Sequence, residues 1–215
     1  IALSLVGSEM CIRDRQYSWG TFRLRRWAAS PRTVRIWQKE MTLTNAPILE
    51  SENLILRGPE KKDAEKVISF LIDESRSWGF GSSPDRSDAW RWFSTNVGHW
   101  HWHGYGYFII ETNVGEVAGL SGIWNPEGWP EPEVGWAVFD SFEGKSIAYE
   151  AACRARRWAY DELEFTTLTS GIVPNNQRSI NLAKRMGAYF ERSYTNLFMG
   201  EEMLFRHPKP HELHK

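Results

Sequence analysis

The chain has 215 residues, 41% of them hydrophobic and 14% aromatic, with 26 basic and 27 acidic side chains and a formal charge of -1. That length suits one domain with a full core, and the charge balance excludes a generally basic nucleic-acid binder and an acidic disordered chain. No apolar run approaches the roughly 20 residues of a membrane helix, and two cysteines, Cys11 and Cys153, make neither a disulfide framework nor a Cys-based zinc site.

The balance hides a split. Residues 1–40 carry eight basic against three acidic side chains, or +5, and residues 41–215 carry 18 against 24, or -6. Ser4 to Arg15 resembles one translated frame of a sequencing-library adapter, and 16–40 is Arg-rich and nearly free of acids. The expectation is that 1–40 is a non-native leader, that coding begins at or near Met41, and that a domain runs over 41–208. A basic arm with aromatics in 16–40 is the alternative, and it would be the one nucleic-acid reading available.

From Met41 the elements follow in order. Leu54–Arg57 is β-prone and stops at Gly58-Pro59. Ala64, Val67, Ile68, Leu71 and Ile72 give 61–75 helical spacing. A second helix is capped by Asp85 or Ser87 and carries Trp90, Trp92, Phe93 and Val97. Strands are expected at 107–111, 117–123 and 133–139. Ser146 to Leu163 is a long helix with an Ala face at Ala148, Ala151, Ala152, Ala155 and Ala159. A strand at 166–173, a helix over 176–186 stopped by Gly187, and strands near 190–194 and 203–206 complete a mixed α/β domain. The polar segment from His207, and in particular 209–215, is expected to be a flexible tail.

One turn is specific. Val138 to Ala151 runs from a strand through Glu143-Gly144-Lys145-Ser146-Ile147-Ala148 into a helix, so backbone N–H groups converge where the helix dipole favours phosphate. Asn176-Gln177-Arg178-Ser179 opens a second helix thirty residues later. With the two leading helices, the 132–136 strand and the closing Phe205-Arg206-His207-Pro208, this order resembles the GNAT superfamily of acyl-CoA N-acyltransferases over about 50–208. The branch resembled is that of the ribosomal-protein N-acetyltransferases.

The resemblance implies the GNAT fold, a mostly antiparallel sheet with two splayed parallel strands and helices on both faces. It implies acetyl-CoA as cosubstrate, with its pantetheine arm held as a pseudo-strand by Trp136, Ala137 and Val138. The pyrophosphate loop falls on Glu143, Gly144, Lys145, Ser146, Ile147 and Ala148. Glu143 departs from the family's Gln or Arg, and Ser146 stands where the family has glycine. Ser146 either costs about 1 kcal/mol in a positive-φ turn or serves as a hydroxyl cap. Lys145 is the expected offset for the Glu143 charge. Asn176 either steadies the cofactor arm or simply caps its helix.

Acyl transfer needs a neutral amine, and lysine-type amines have a pKa near 10, so a base is required. Glu133 is the first candidate, Glu131 the second, and a solvated rim carboxylate is the alternative for each. The N–H near Val138 is the candidate oxyanion donor. The family's tyrosine, seven residues after the helix-start Asn, is replaced by Ala183, so either another hydroxyl, of which Ser179 is nearest in sequence, or water protonates the departing thiolate, or it leaves without an acid.

No metal is assigned. His99, His101 and His103 share one face only on a strand; on a helix His99 and His103 alone do. The 99–103 segment is instead expected to border the acceptor cleft, with the tryptophans of 124–130 lining it. The leading reading is a cytoplasmic N-acetyltransferase moving an acetyl group by direct attack to a primary amine, a protein N-terminus or a small molecule, with no nucleic-acid or membrane partner; homodimerisation is left open. The alternative is a degenerate acyl-CoA-binding module without turnover.

Overall fold

A computed structural model describes residues 43–213. The chain divides into Ile1–Met41 and Thr42–Lys215; the expectations for the leader and for Met41 lie outside the described residues.

An eight-stranded sheet organises the second unit, in the order β1-β2-β3-β4-β5-β6-β8-β7. The strands are β1 (Leu49–Glu50), β2 (Leu54–Arg57), β3 (Tyr107–Thr112), β4 (Val117–Trp124), β5 (Glu133–Val138), β6 (Thr169–Ile172), β7 (Tyr189–Asn196) and β8 (Gly200–Arg206). Every pairing is antiparallel except β5 with β6. The two-residue β1 is too short to leave a periodic signal and escaped the sequence reading.

The helix expected over 61–75 is broken. α1 (Ala64–Leu71) buries Val67, Ile68 and Leu71, and α2 (Glu74–Ser77) restarts after Asp73, which is extended. Ser77 Oγ shares its one proton between Leu71 O at 3.0 Å and Asp73 O at 2.9 Å, and Leu71 O also accepts from Ser83 N at 2.9 Å, which ties the two sides of the break together. α3 (Arg86–His103) is capped by Asp85, whose Oδ1 accepts from Asp88 N at 2.9 Å, and ends on Gly104 in the left-handed region.

α3 is tied to the sheet through polar groups as well as apolar ones. Asn96 exchanges hydrogen bonds with the Tyr107 backbone at 2.8 and 3.0 Å, and Trp100 Nε1 donates to Tyr107 O at 3.1 Å. These bonds fix the start of β3 and with it the Tyr107 ring. α4 (Ile147–Asp161) lays Ala151, Ala152, Ala155 and Ala159, all fully buried, against the sheet. Small side chains there allow the close helix–sheet approach that the alanine face predicted. α5 (Gln177–Arg185) follows β6.

The segment after β8 does not fray at once. His207 is buried, its N–H donates to Leu168 O at 3.0 Å, and Tyr160 Oη donates to Pro208 O at 2.8 Å. Among the described residues no helix is long and apolar enough to cross a membrane.

Candidate active site

The site begins where β5 and β6 part. They share one parallel register pair, Glu133 with Thr169, supported by Ser170 Oγ donating to Val134 O at 2.6 Å. Behind this joint runs a buried polar chain. Arg156 Nη1 reaches Met186 O at 2.7 Å and His207 Nδ1 at 3.1 Å, and His207 Nε2 meets Ser170 Oγ at 3.0 Å. Burial, with the Arg156 charge second, pushes His207 down to about 3, so it stays neutral. β5 remains paired with β4 as far as Val138 opposite Gly119, so its other edge, beyond Val134, faces a cavity rather than a strand. An extended, amide-bearing ligand can pair with such an edge.

That first cavity has a volume of about 860 Å³ and is lined by Trp136, Ala137, Val138, Glu143, Gly144, Ser146, Ile147, Ala148, Asn176 and Ser179. Ten of the eleven expected cofactor residues therefore come together. Lys145 is the exception: it does not line the cavity, its Nζ donates to Ser141 O at 2.9 Å, and it lies over the Phe142 ring. The Glu143 charge is met instead by Arg76 at 2.7 Å and Arg178 at 2.9 Å. Arg178 sits inside the quoted Asn176–Ser179 motif; Arg76 lies on α2, and nothing in the sequence connects it to the loop. Arg185, over the Tyr149 ring, adds a third guanidinium.

The loop backbone has the bend that phosphate binding needs. Gly144 has φ 74° and Ser146 φ 61°, so a serine occupies the left-handed region where glycine costs nothing, at about 1 kcal/mol. Its hydroxyl makes no capping bond to α4 and lies 3.4 Å from Arg185 Nη1. Ile147, Ala148 and Tyr149 of the first turn line the cavity, and the first N–H groups of a helix have no partner within it. Three arginines, a helix N-terminus and an unpaired strand edge suit a ligand with an anionic pyrophosphate and a long amide arm.

A second cavity of about 710 Å³ meets the first at Trp78, Gly79, Phe80, Trp136 and Ser179. Asn176 holds this junction in two ways. Its Oδ1 caps α5 by accepting from Ser179 N at 3.1 Å, and its Nδ2 packs so closely on Gly79 that a Cβ there would lie 2.3 Å away. Trp136 Nε1 donates to Ser179 Oγ at 3.3 Å. Ala183 is fully buried in α5, so no hydroxyl occupies that position.

The second cavity is acidic: among the described residues Asp88, Glu127, Glu133 and Glu202 line it, against Arg91 as the one basic side chain. Burial raises Glu133 to about 7, with the Glu202 charge adding to the rise. The Gly171 N–H at 3.0 Å and the Trp129 indole oppose it. Glu131 behaves differently. It lines neither cavity and forms a two-point pair with Arg206, at 2.7 Å from Oε1, which lowers its pKa.

Glu202, on β8, was not singled out in the sequence. It is buried, in phase with Leu204 on the same strand, and a charged residue in the inward phase of a strand was the available signal.

Trp124 and Trp129 both line the second cavity, joined by Trp78 and Trp92. The 99–103 segment does not. It is the last turn of α3, where His99 is buried against Trp124 and bonds Tyr105 O at 2.7 Å, while Trp100 packs in the core. The wall of the cavity comes from the earlier part of α3, at Asp88, Arg91, Trp92 and Thr95. Among the described residues no group of three His, Cys, Asp or Glu side chains is placed to hold a metal ion.

Comparison with known proteins agrees with this geometry. Residues 53–189 match the family described as "Acetyltransferase (GNAT) domain". A Bacillus subtilis (strain 168) protein named "Putative ribosomal N-acetyltransferase YdaF" is 25% identical over 145 residues, covering 64% of this chain and 78% of that protein. An acetyltransferase from Agrobacterium tumefaciens str. C58 superposes with a TM-score of 0.70 at 30% identity, over 75% of this chain and 94% of that one. RimL, a ribosomal L7/L12 alpha-N-protein acetyltransferase solved in complex with coenzyme A, has the same fold at 15% identity, with a TM-score of 0.62 over 74% of this chain and 97% of that one. The chain belongs to the GNAT acetyltransferase family and resembles its ribosomal-protein N-acetyltransferase branch.

Proposed function

We propose that this chain transfers an acetyl group from acetyl-CoA to a primary amine, a protein N-terminus or a small-molecule amine, by direct attack. The observation that carries this reading is the junction of two cavities of opposite charge at Trp136 and Ser179. The arginine-lined cavity suits the anionic cosubstrate, and the acid-lined one suits a cationic acceptor. The coenzyme A bound in the RimL structure supports the first assignment by analogy.

Acetyl-CoA supplies the activated acyl group, and the residues do the rest. Arg178 and Arg185, with the α4 N-terminus, hold the pyrophosphate, and the free edge of Trp136–Val138 aligns the pantetheine amides. Glu133 takes one proton from the ammonium, and the freed lone pair forms the N–C bond. The backbone N–H near Val138 donates to the oxyanion. As the C–S bond breaks, the thiolate leaves and takes its proton from water, with the Ser179 hydroxyl passing one proton on only as it receives another, and the amide nitrogen gives up its second proton to solvent. A base near 7 suits this work, because it is half ionised at neutral pH and strong enough to accept a proton. The paired Glu131, held below the usual carboxylate range, is the weaker base.

Calorimetry of the full chain with acetyl-CoA, followed by free-thiol release over a panel of peptides and small amines, tests the reading. Binding with thiol release and acetylated product is expected. Binding with no amine acetylated would favour a cofactor-sensing module, and absence of binding would sink both.

A further inference from the structure

Glu202 belongs to no motif, yet its place in the second cavity is closely defined. It is 5% exposed, and its Oε2 accepts from Tyr194 Oη at 2.6 Å and Asn196 Nδ2 at 3.1 Å. Gly171 on β6 makes the arrangement sterically feasible. A Cβ there would lie 2.5 Å from Tyr194 Oη, 2.9 Å from Glu202 Oε2 and 3.1 Å from Glu133 Oε2. The two carboxylate oxygens therefore lie within about 6 Å of each other, close enough for each charge to oppose the other's ionisation.

The groups facing Glu133 come from every neighbouring element. They are the Gly171 N–H of β6, Glu202 of β8, Tyr194 of β7, Tyr107 of β3 and Trp129, with Asp88, Arg91 and Glu127 around the cavity. Burial keeps both tyrosines neutral. Burial pushes Glu202 above its ordinary value, as it does Glu133, but the hydrogen bonds from Tyr194 and Asn196 oppose that rise and favour its charged form, and Glu133 lacks these two donors.

We propose that Glu202 is a positioning residue for acetyl transfer: it forms a carboxylate pair with Glu133, in which Glu133 takes the acceptor's proton while Glu202 keeps its charge and holds the ammonium at the junction. The proposal rests on the acetyl-transfer reading and adds to it a division of labour that the motifs do not contain. Transfer of the proton to Glu133 leaves one negative charge in the pair rather than two, so the step relieves repulsion as it activates the amine.

Glu202→Gln keeps the side-chain size and an acceptor for Tyr194. The expected result is a KM for a cationic amine raised about tenfold, with the KM for acetyl-CoA unchanged and the acid limb of kcat/KM moved to lower pH. The decisive readout does not depend on turnover. Carbon-13 NMR titration of Glu133 in the full chain, assigned through Glu133→Gln, should give a lower midpoint in Glu202→Gln. Tyr194→Phe should lower it by a smaller amount, because loss of that donor draws the proton toward Glu202. An unmoved Glu133 midpoint in the folded variants overturns the proposal. A midpoint that moves in a protein acetylating no amine overturns the acetyl-transfer reading instead.

Discussion

The two cavities that meet at Trp136 are built in different ways. The arginine-lined one is made largely of main chain: the free edge of β5, the Gly144–Ser146 bend and the first turn of α4. Apart from Arg76 and the neighbouring residues of α2, its chemistry is local in sequence, within a dozen residues of Val138 and ten of Asn176. The acid-lined one is made of residues from α3, β3, β4, β5, β6, α5, β8 and three loops. A cosubstrate common to a family can be recognised by backbone geometry that tolerates substitution. An acceptor particular to one member has to be recognised by side chains gathered from the whole chain.

Breaking each side separately should therefore move different quantities. The largest effect is expected from Glu133→Gln, a loss of about 10²–10⁴ in kcat/KM with acetyl-CoA affinity within about twofold of the parent. The same substitution carries a stability signature. The folded state binds the Glu133 proton more tightly than the ordinary value of 4.5, so that contribution is full below about 4.5 and lost as the pH rises through about 7. Denaturant melts at pH 8 should find Glu133→Gln more stable than the parent by about 1 kcal/mol.

On the other side, Arg178→Ala removes one of two guanidiniums from Glu143 and leaves more of its negative charge in the cavity proposed for the pyrophosphate. Calorimetry should report acetyl-CoA binding weakened about tenfold, with the acceptor KM unmoved. Trp129→Ala is expected to raise the acceptor KM several-fold, since its ring lines the acidic cavity and stacks on Phe198 with centroids 5.6 Å apart. Steady-state kinetics with a competent amine checks this, and unchanged kinetics would remove Trp129 from the site.

The smallest effects belong to the framework. Ser146→Gly should stabilise the fold by about 1 kcal/mol, because glycine carries φ 61° without strain. His207 reports on the joint between the strands. Its folded pKa is depressed to about 3, so its contribution is full above the unfolded value near 6.5 and falls as the pH drops toward 3, by about 1.4 kcal/mol per pH unit at most. In His207→Gln, denaturation at pH 7 and pH 5 should lose that part of the slope.

The same division explains what could be read from the sequence. The order of helices and strands, the alanine face of α4 and the loop 143–148 were legible because each rests on local periodicity or a contiguous motif. The break at Asp73 was not, because the apolar spacing runs through Ile72 without interruption and nothing periodic marks where the Ser77 hydroxyl meets the carbonyls on either side of it. Lys145 was the natural partner for Glu143 by sequence distance, but Arg76 lies 67 residues away and reaches it through the fold. Glu133 was found through its place before Gly135, whereas Glu202 becomes meaningful only when β8 inserts between β6 and β7 and brings it to Gly171.

One crossed measurement tests the separation of the two sides most directly: the KM for acetyl-CoA and the KM for a cationic amine, each determined in Arg178→Ala and in Glu202→Gln. Arg178→Ala should raise the first about tenfold and leave the second, and Glu202→Gln should do the reverse. Both constants moving together in either variant, or the amine KM unmoved in Glu202→Gln, would contradict the assignment of one cavity to each substrate.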